Sequence, residues 1–159
     1  MAAKPIPDGY HTVTPYLILD DAAAALEFYK KAFGATELMR MEGPGGKIGH
    51  AELKIGDSPI MLADEVPEMG YRGPRSIGGT AVSILLYVGD VDQVFARAVS
   101  AGAREIRPVQ DQFYGDRSGT LEDPFGHVWS IATHVEDVAP DELERRMAKA
   151  MEGGKAPEA

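Results

Sequence analysis

The sequence predicts an α+β fold of two βαβββ modules followed by a C-terminal helix. Three observations carry this. The order strand, helix, strand, strand, strand occurs twice along the 159 residues. "AFGATEL" and "SAGAREI", about 68 residues apart, repeat glycine, alanine and acid in register at the end of each helix. A long irregular stretch rich in proline and glycine separates the two copies.

Residues 1–10 hold two prolines and a glycine and read as an N-terminal arm. The first module spans 11–64. "HTVTPYLIL" (11–19) is rich in β-branched and aromatic residues, as strands are. Asp20 and Asp21 offer N-caps to the helix "AAAALEFYKKAFGA" (22–35), which ends around Gly34. "TELMRME" (36–42), "KIGHAELKIG" (47–56) and "SPIMLAD" (58–64) follow as strands, joined by "GPGG" and a Gly-Asp turn. Residues 65–79 read as a linker or mobile loop.

The second module spans 80–135. It contains the strand 80–90, the helix 91–103 closed by Gly102, the strand 104–110, a turn with a further strand within 111–123, and the strand 127–135. Residues 136–159 form a C-terminal helix and tail, with Pro140 at the helix start and Gly153 just past its end.

Composition narrows the function. A net charge of −9 opposes nucleic-acid binding, which needs a basic surface. No apolar run is long enough for a membrane span, and "MAAKPIPDGYH" lacks the apolar segment of a signal peptide. The chain has no cysteine, so disulfides, thiolate chemistry and sulfur-held zinc are excluded. A cytoplasmic location is expected. "GPGG" and "IGG" lack the strand-to-helix setting of a phosphate loop, and Ser118 and Ser130 lack a His/Asp relay.

The duplicated pattern, with "LEFYKKAFGA", "GHAELKIGDSPIMLADE" and "YGDRSGTLEDPFGHVWSIATHVED", resembles the vicinal oxygen chelate superfamily. Within it the chain is similar to the PhnB-like branch of the glyoxalase/bleomycin-resistance/dioxygenase families, over roughly residues 11–138. The resemblance implies two modules side by side, each curling its sheet around a cavity, commonly in a homodimer. In metal-using members four histidine, glutamate or glutamine ligands come from the first and last strand of each module. Carried onto this chain, those positions fall on Thr14, Met61, Ser83 and Ser130. None is a usual ligand for a catalytic divalent ion, so no cofactor is expected.

Strand alternation sorts the remaining candidates. Trp129, Ile131 and Phe125 belong to the core, and Val128, Ser130 and Ala132 face the cavity. His127 and His134 read as structural histidines, Asp123 as the organiser of its own turn, and Arg117 as the ion-pair partner of Asp116 or Glu122. His11 precedes the first strand, outside the cavity. In "GHAELKIG", Ala51, Leu53 and Ile55 face the helix, so His50 and Glu52 face the cavity; Thr120 and Glu122 do the same in the second module.

The candidate ligand-binding set is therefore Thr14, Tyr16, His50, Glu52, Met61, Ser83, Thr120, Glu122 and Ser130, with no metal ligand among them. The expected function is metal-independent binding of a small, hydrophobic or antibiotic-like molecule. The alternative is a glyoxalase- or isomerase-type enzyme using His50, Glu52 and Glu122, with or without a divalent metal. A purely structural role is the weakest reading, since a sheet curled around a pocket usually holds something.

Overall fold

A computed structural model describes residues 3–153. The first module comprises β1 (Tyr16–Leu19), α1 (Ala22–Phe33), β2 (Thr36–Glu42), β3 (Ile48–Ile55) and β4 (Ser58–Asp64). After a one-turn helix α2 (Pro74–Ile77), the second module comprises β5 (Ser83–Tyr87), α3 (Val91–Ser100), β6 (Arg104–Asp111), β7 (Asp116–Glu122) and β8 (Val128–His134). The helix α4 (Pro140–Glu152) follows. Each module forms a four-stranded sheet, ordered β1-β4-β3-β2 and β5-β8-β7-β6. In both, the first strand pairs parallel with the fourth.

β1 is shorter than the sequence predicts. Proline has no N–H for a ladder, and Pro15 closes the strand at its N-terminal end, contributing only its carbonyl to Met61 N at 2.9 Å. Thr14 therefore precedes the strand. β5 likewise begins at Ser83 rather than Thr80, whose hydroxyl bonds locally to Val82 N and O. The expected linker 65–79 carries a 3-10 turn (Pro67–Met69), the bridge Val66–Tyr71 and α2. Glu65 anchors it by accepting from Gly73 N and Ser76 Oγ.

Each helix covers one face of its own sheet and leaves the other open. Leu17, Leu19, Leu53 and Leu62 are buried beneath α1 with Ala22, Leu26 and Tyr29, while Tyr16 and Ile18 lie on the open face. Both helices begin on the last strand of their sheet. Buried Asp64 accepts from Ala22 N (2.9 Å) and Ile48 N (2.6 Å), and Thr133 accepts from Val91 N at 2.9 Å. The bonds from Ala22 N and Val91 N satisfy N–H groups that a helix start leaves unpaired, and the bond from Ile48 N ties Asp64 to the start of β3.

One core joins the two modules. α1 packs against α3, and Arg97 Nε donates to Ala32 O at 2.8 Å. Asp123 sits at the centre of the junction, 3% exposed. Its Oδ1 accepts from Phe125 N and His127 N, organising the turn, and its Oδ2 accepts from Tyr29 OH (2.7 Å) and Trp129 Nε1 (2.9 Å). Four donors replace the water this carboxylate gave up. Burial and the neighbouring Asp123 push the Tyr29 hydroxyl well above its ordinary pKa. Trp129 is fully buried against Tyr29 and Phe33.

Arg117 departs from expectation. It lies on the helix-facing side of β7 and pairs with Asp92 of α3 and Asp111, not with Asp116 or Glu122. No helix among the described residues is long and apolar enough to cross a membrane.

Candidate functional site

The open face of the first module holds a connected set of polar side chains. Cross-strand register puts Tyr16, Met61, Glu52 and Met39 side by side on β1, β4, β3 and β2. His50 stands two residues from Glu52, level with Met41. A register shift at Gly49 makes this possible. Ile48 stays buried under the helix, and His50 still reaches the open face.

Hydrogen bonds link these groups into one line. Tyr16 OH lies 2.8 Å from His50 Nδ1, and His50 Nε2 lies 3.1 Å from Glu52 Oε1. Tyr10, from the N-terminal arm, donates its hydroxyl to Glu52 Oε2. A carboxylate oxygen can only accept, so His50 Nε2–H donates to Glu52. The Tyr10 hydroxyl and then His50 hold the Glu52 carboxyl below its usual range. Burial, reinforced by Tyr71 and Glu52, raises the Tyr16 hydroxyl. Burial and the bond to Glu52 push Tyr10 up to about 12.

Beside this line lies a cleft of about 450 Å³, walled by Ile18, Ala63, Val66, Met69 and Tyr71. Tyr16 and Gly49 complete it together with Asp64, whose two oxygens are occupied by backbone N–H groups. The Val66–Tyr71 bridge fixes the strip that carries Met69 over the cleft. The result is an apolar wall with a few oriented polar groups at its edge, the usual make-up of a small-molecule pocket.

Of the sequence-predicted residues, the structure brings together Tyr16, His50, Glu52 and Met61. Thr14 lies before β1 and does not line the cleft. Ser83 faces a second cleft of about 590 Å³ at the seam between the edge strands β1 and β5, where His127 Nε2 meets Ile18 O at 3.0 Å. Thr120 and Ser130 meet each other at 3.4 Å in a hollow of about 60 Å³ on the second module. Glu122 pairs with Arg104 at 3.2 Å. His11 borders another cleft where the modules join.

Among the described residues, no three histidine, aspartate or glutamate side chains are grouped to hold a metal ion. Glu122 stands on the second module's sheet, paired with Arg104, whereas His50 and Glu52 stand together on the first module's. The positions where the superfamily resemblance places metal ligands carry a thioether and three hydroxyls, a donor set that does not fit a catalytic divalent ion. Sequence reasoning missed Tyr10, because an arm with two prolines carries no strand or helix period. It also missed Ile18, Ala63, Val66 and Tyr71 as lining residues. For Ile18 and Ala63 the signal was present, since both share the alternation of Tyr16 and Met61.

The chain is 47% identical over 144 residues to an uncharacterized Mycobacterium tuberculosis protein, covering 89% of this chain and 85% of that one. It is 30% identical over 115 residues to an uncharacterized Arabidopsis thaliana protein, covering 68% and 69%. Among solved structures it is similar to TioX from Micromonospora sp. ML1, with TM-score 0.62 and 28% identity over 79% of this chain and 99% of that one. The fold is shared with a PhnB protein from Bacillus cereus, at TM-score 0.62 and 18% identity over 77% and 99%. The family profile matches residues 10–131, which take in both modules, and the chain belongs to the Glyoxalase/Bleomycin resistance protein/Dioxygenase superfamily.

Proposed function

We propose that this protein binds a small organic molecule on the open face of the first module, without the metal other superfamily members use. The observation that carries the reading is the hydrogen-bonded line Tyr16–His50–Glu52, whose Tyr16 end lines a largely apolar cleft. Apolar walls supply contact area, and the line supplies orientation. Methionine at 61, 39 and 41 adds a deformable surface suited to flat ligands.

The test has two steps. Protein passed through cell extract and washed is expected to retain a compound identifiable by mass spectrometry. That compound, titrated into methyl-labelled protein, is expected to shift the Met61 and Met69 resonances. Tyr16→Phe and His50→Gln should each weaken it about tenfold, the worth of one hydrogen bond to a partly desolvated group. Shifts confined to the second module would overturn the reading. Elemental analysis after exposure to nickel, zinc or manganese is expected to find no stoichiometric ion.

A second reading is supported by His50 itself. Held between a hydroxyl and a carboxylate, its imidazole is oriented as a general base would be. On this reading, of a glyoxalase- or isomerase-type enzyme, His50 takes the proton and Glu52 positions it. His50→Gln would then abolish turnover and leave binding largely intact.

The proposal includes a homodimer. Tyr16, Tyr71, Leu85 and Tyr87 leave about half of their surface exposed on or beside the open faces, and β1 and β5 are unpaired edges. A second copy is the commonest cover for such surface. Light scattering should give about twice the 17.1 kDa of one chain, and a monomer mass that does not change on concentration would overturn it.

A further inference from the structure

The N-terminal arm ends on the candidate site. Among the described residues, the Tyr10 hydroxyl makes the one hydrogen bond that ties residues 3–13 to either module, and it falls on Glu52. The arm's other bonds, Lys4 to Asp8 and Tyr10 N to Pro7 O, stay within the arm. A single bond is a weak tether for a segment with no strand or helix of its own.

Glu52 makes the choice of partner informative. One oxygen is committed to His50, on the same strand and the same face. The other is left for whatever donor reaches the face, and a half-buried carboxylate without a donor is costly. The line Tyr10–Glu52–His50–Tyr16 contains no lysine or arginine, so it offers an acceptor and no fixed cation. An anionic ligand would meet like charge there. A neutral hydroxyl would form the strong, charge-assisted bond that Tyr10 now makes.

We propose that Tyr10 is an internal occupant of the site: its hydroxyl holds Glu52 in the free protein, and the ligand carries a hydroxyl that takes its place and releases the arm. This rests on the reading of the first module's open face as a small-molecule site. It adds the class of ligand, a hydroxylated and uncharged molecule, and a regulation, competition by the chain itself. The intrinsic affinity of the site is masked by the fraction of time Tyr10 occupies it, so removing the hydroxyl unmasks it.

The test compares p-cresol, 4-methylcyclohexanol and 4-methylanisole, followed through the Met61 and Met39 methyl resonances. The first two share a hydroxyl and differ in aromaticity, which distinguishes a phenol from an aliphatic alcohol as its source. The third keeps the ring and lacks the donor. Tyr10→Phe, which retains the ring and loses only the hydroxyl, should tighten at least one of the hydroxyl compounds about tenfold and leave 4-methylanisole unchanged. Tyr10→Ala should act in the same direction, and Glu52→Gln should remove the preference for a hydroxyl. Equal binding of all three compounds, or unchanged affinity in both Tyr10 variants, would overturn the proposal. If extract-derived ligand still shifts Met61 in that case, the site reading stands alone. If neither extract nor probe shifts Met61, both fall.

Discussion

The two modules share a fold and differ in what their open faces can do. At the centre of each sheet the helix-facing positions correspond and stay apolar: Leu17 with Leu86, Leu62 with Ile131, Leu53 with Leu121, and on the helices Leu26 with Phe95. On the open face, where the first module has Tyr16, Met61 and Glu52 in one row, the second has Leu85, Ser130 and Thr120. Packing restrains one face of each sheet to apolar side chains of compatible volume. The other face is free to change chemistry: the second module has no ionisable group at Leu85, Ser130 or Thr120, and its own hydrogen-bonded set, Tyr87, Asp116 and His134, lies further along the same strands.

The largest effect should come from the core that both modules share. Trp129 belongs to the second module, yet its ring packs on Tyr29 and Phe33 of the first and its N–H meets Asp123. Trp129→Ala should destabilise the protein by about 3–5 kcal/mol. It should do so in a single unfolding transition, followed by denaturant titration with both near- and far-ultraviolet circular dichroism. Two separated transitions would mean that the modules fold as independent copies and the comparison between them loses its shared reference.

A smaller effect tests how the cores diverged. Gly119 occupies the place of Ala51, and Phe95 that of Leu26. A Cβ at Gly119 would lie 2.8 Å from Phe95 Cε2 and 2.9 Å from Val109 Cγ2. The larger ring therefore requires the smaller strand residue. Gly119→Ala should cost about 1–3 kcal/mol through overpacking. Combined with Phe95→Leu, which recreates the first module's pair, the loss should fall short of the sum of the single changes by about 1 kcal/mol. Strict additivity in a denaturant-derived double-mutant cycle would refute the exchange.

Most of this architecture was legible in the sequence, and the reasons are physical. Alternation placed Trp129, Ile131, Ala51 and Leu53 inward and His50 and Glu52 outward, because one face of each sheet had to be buried. The caps Asp21, Gly34 and Pro140 set helix ends within a residue or two. What was illegible is long-range. Nothing local says that Arg117 reaches Asp92 on α3, or that Tyr10 meets Glu52 across 42 residues of chain. Glu122 illustrates the limit of alternation. It faces the expected side, yet the strand's position in the other sheet gives it to Arg104 rather than to His50.

The smallest effect concerns the two histidines and how each is flanked. His50 lies between a hydroxyl and one carboxylate, whereas His134 lies between two carboxylates, Asp116 at 2.7 Å and Asp137 at 2.9 Å. Asp116 is itself buried and accepts from Tyr87 OH at 2.8 Å. Hydrogen bonds to Asp137 and Asp116 raise the pKa of His134 above its ordinary 6.5. A raised folded-state pKa means that protonation favours the folded chain. The contribution is complete below about pH 6.5, where the unfolded histidine is also protonated, and is lost as pH rises through the folded value. With the imidazole half exposed, solvent keeps the effect small. A nuclear magnetic resonance titration should place the His134 midpoint above 6.5, and in His134→Gln the decline in stability between slightly acidic and slightly alkaline pH should flatten. A His134 midpoint at or below 6.5 would show that Asp137 and Asp116 do not favour its protonated form.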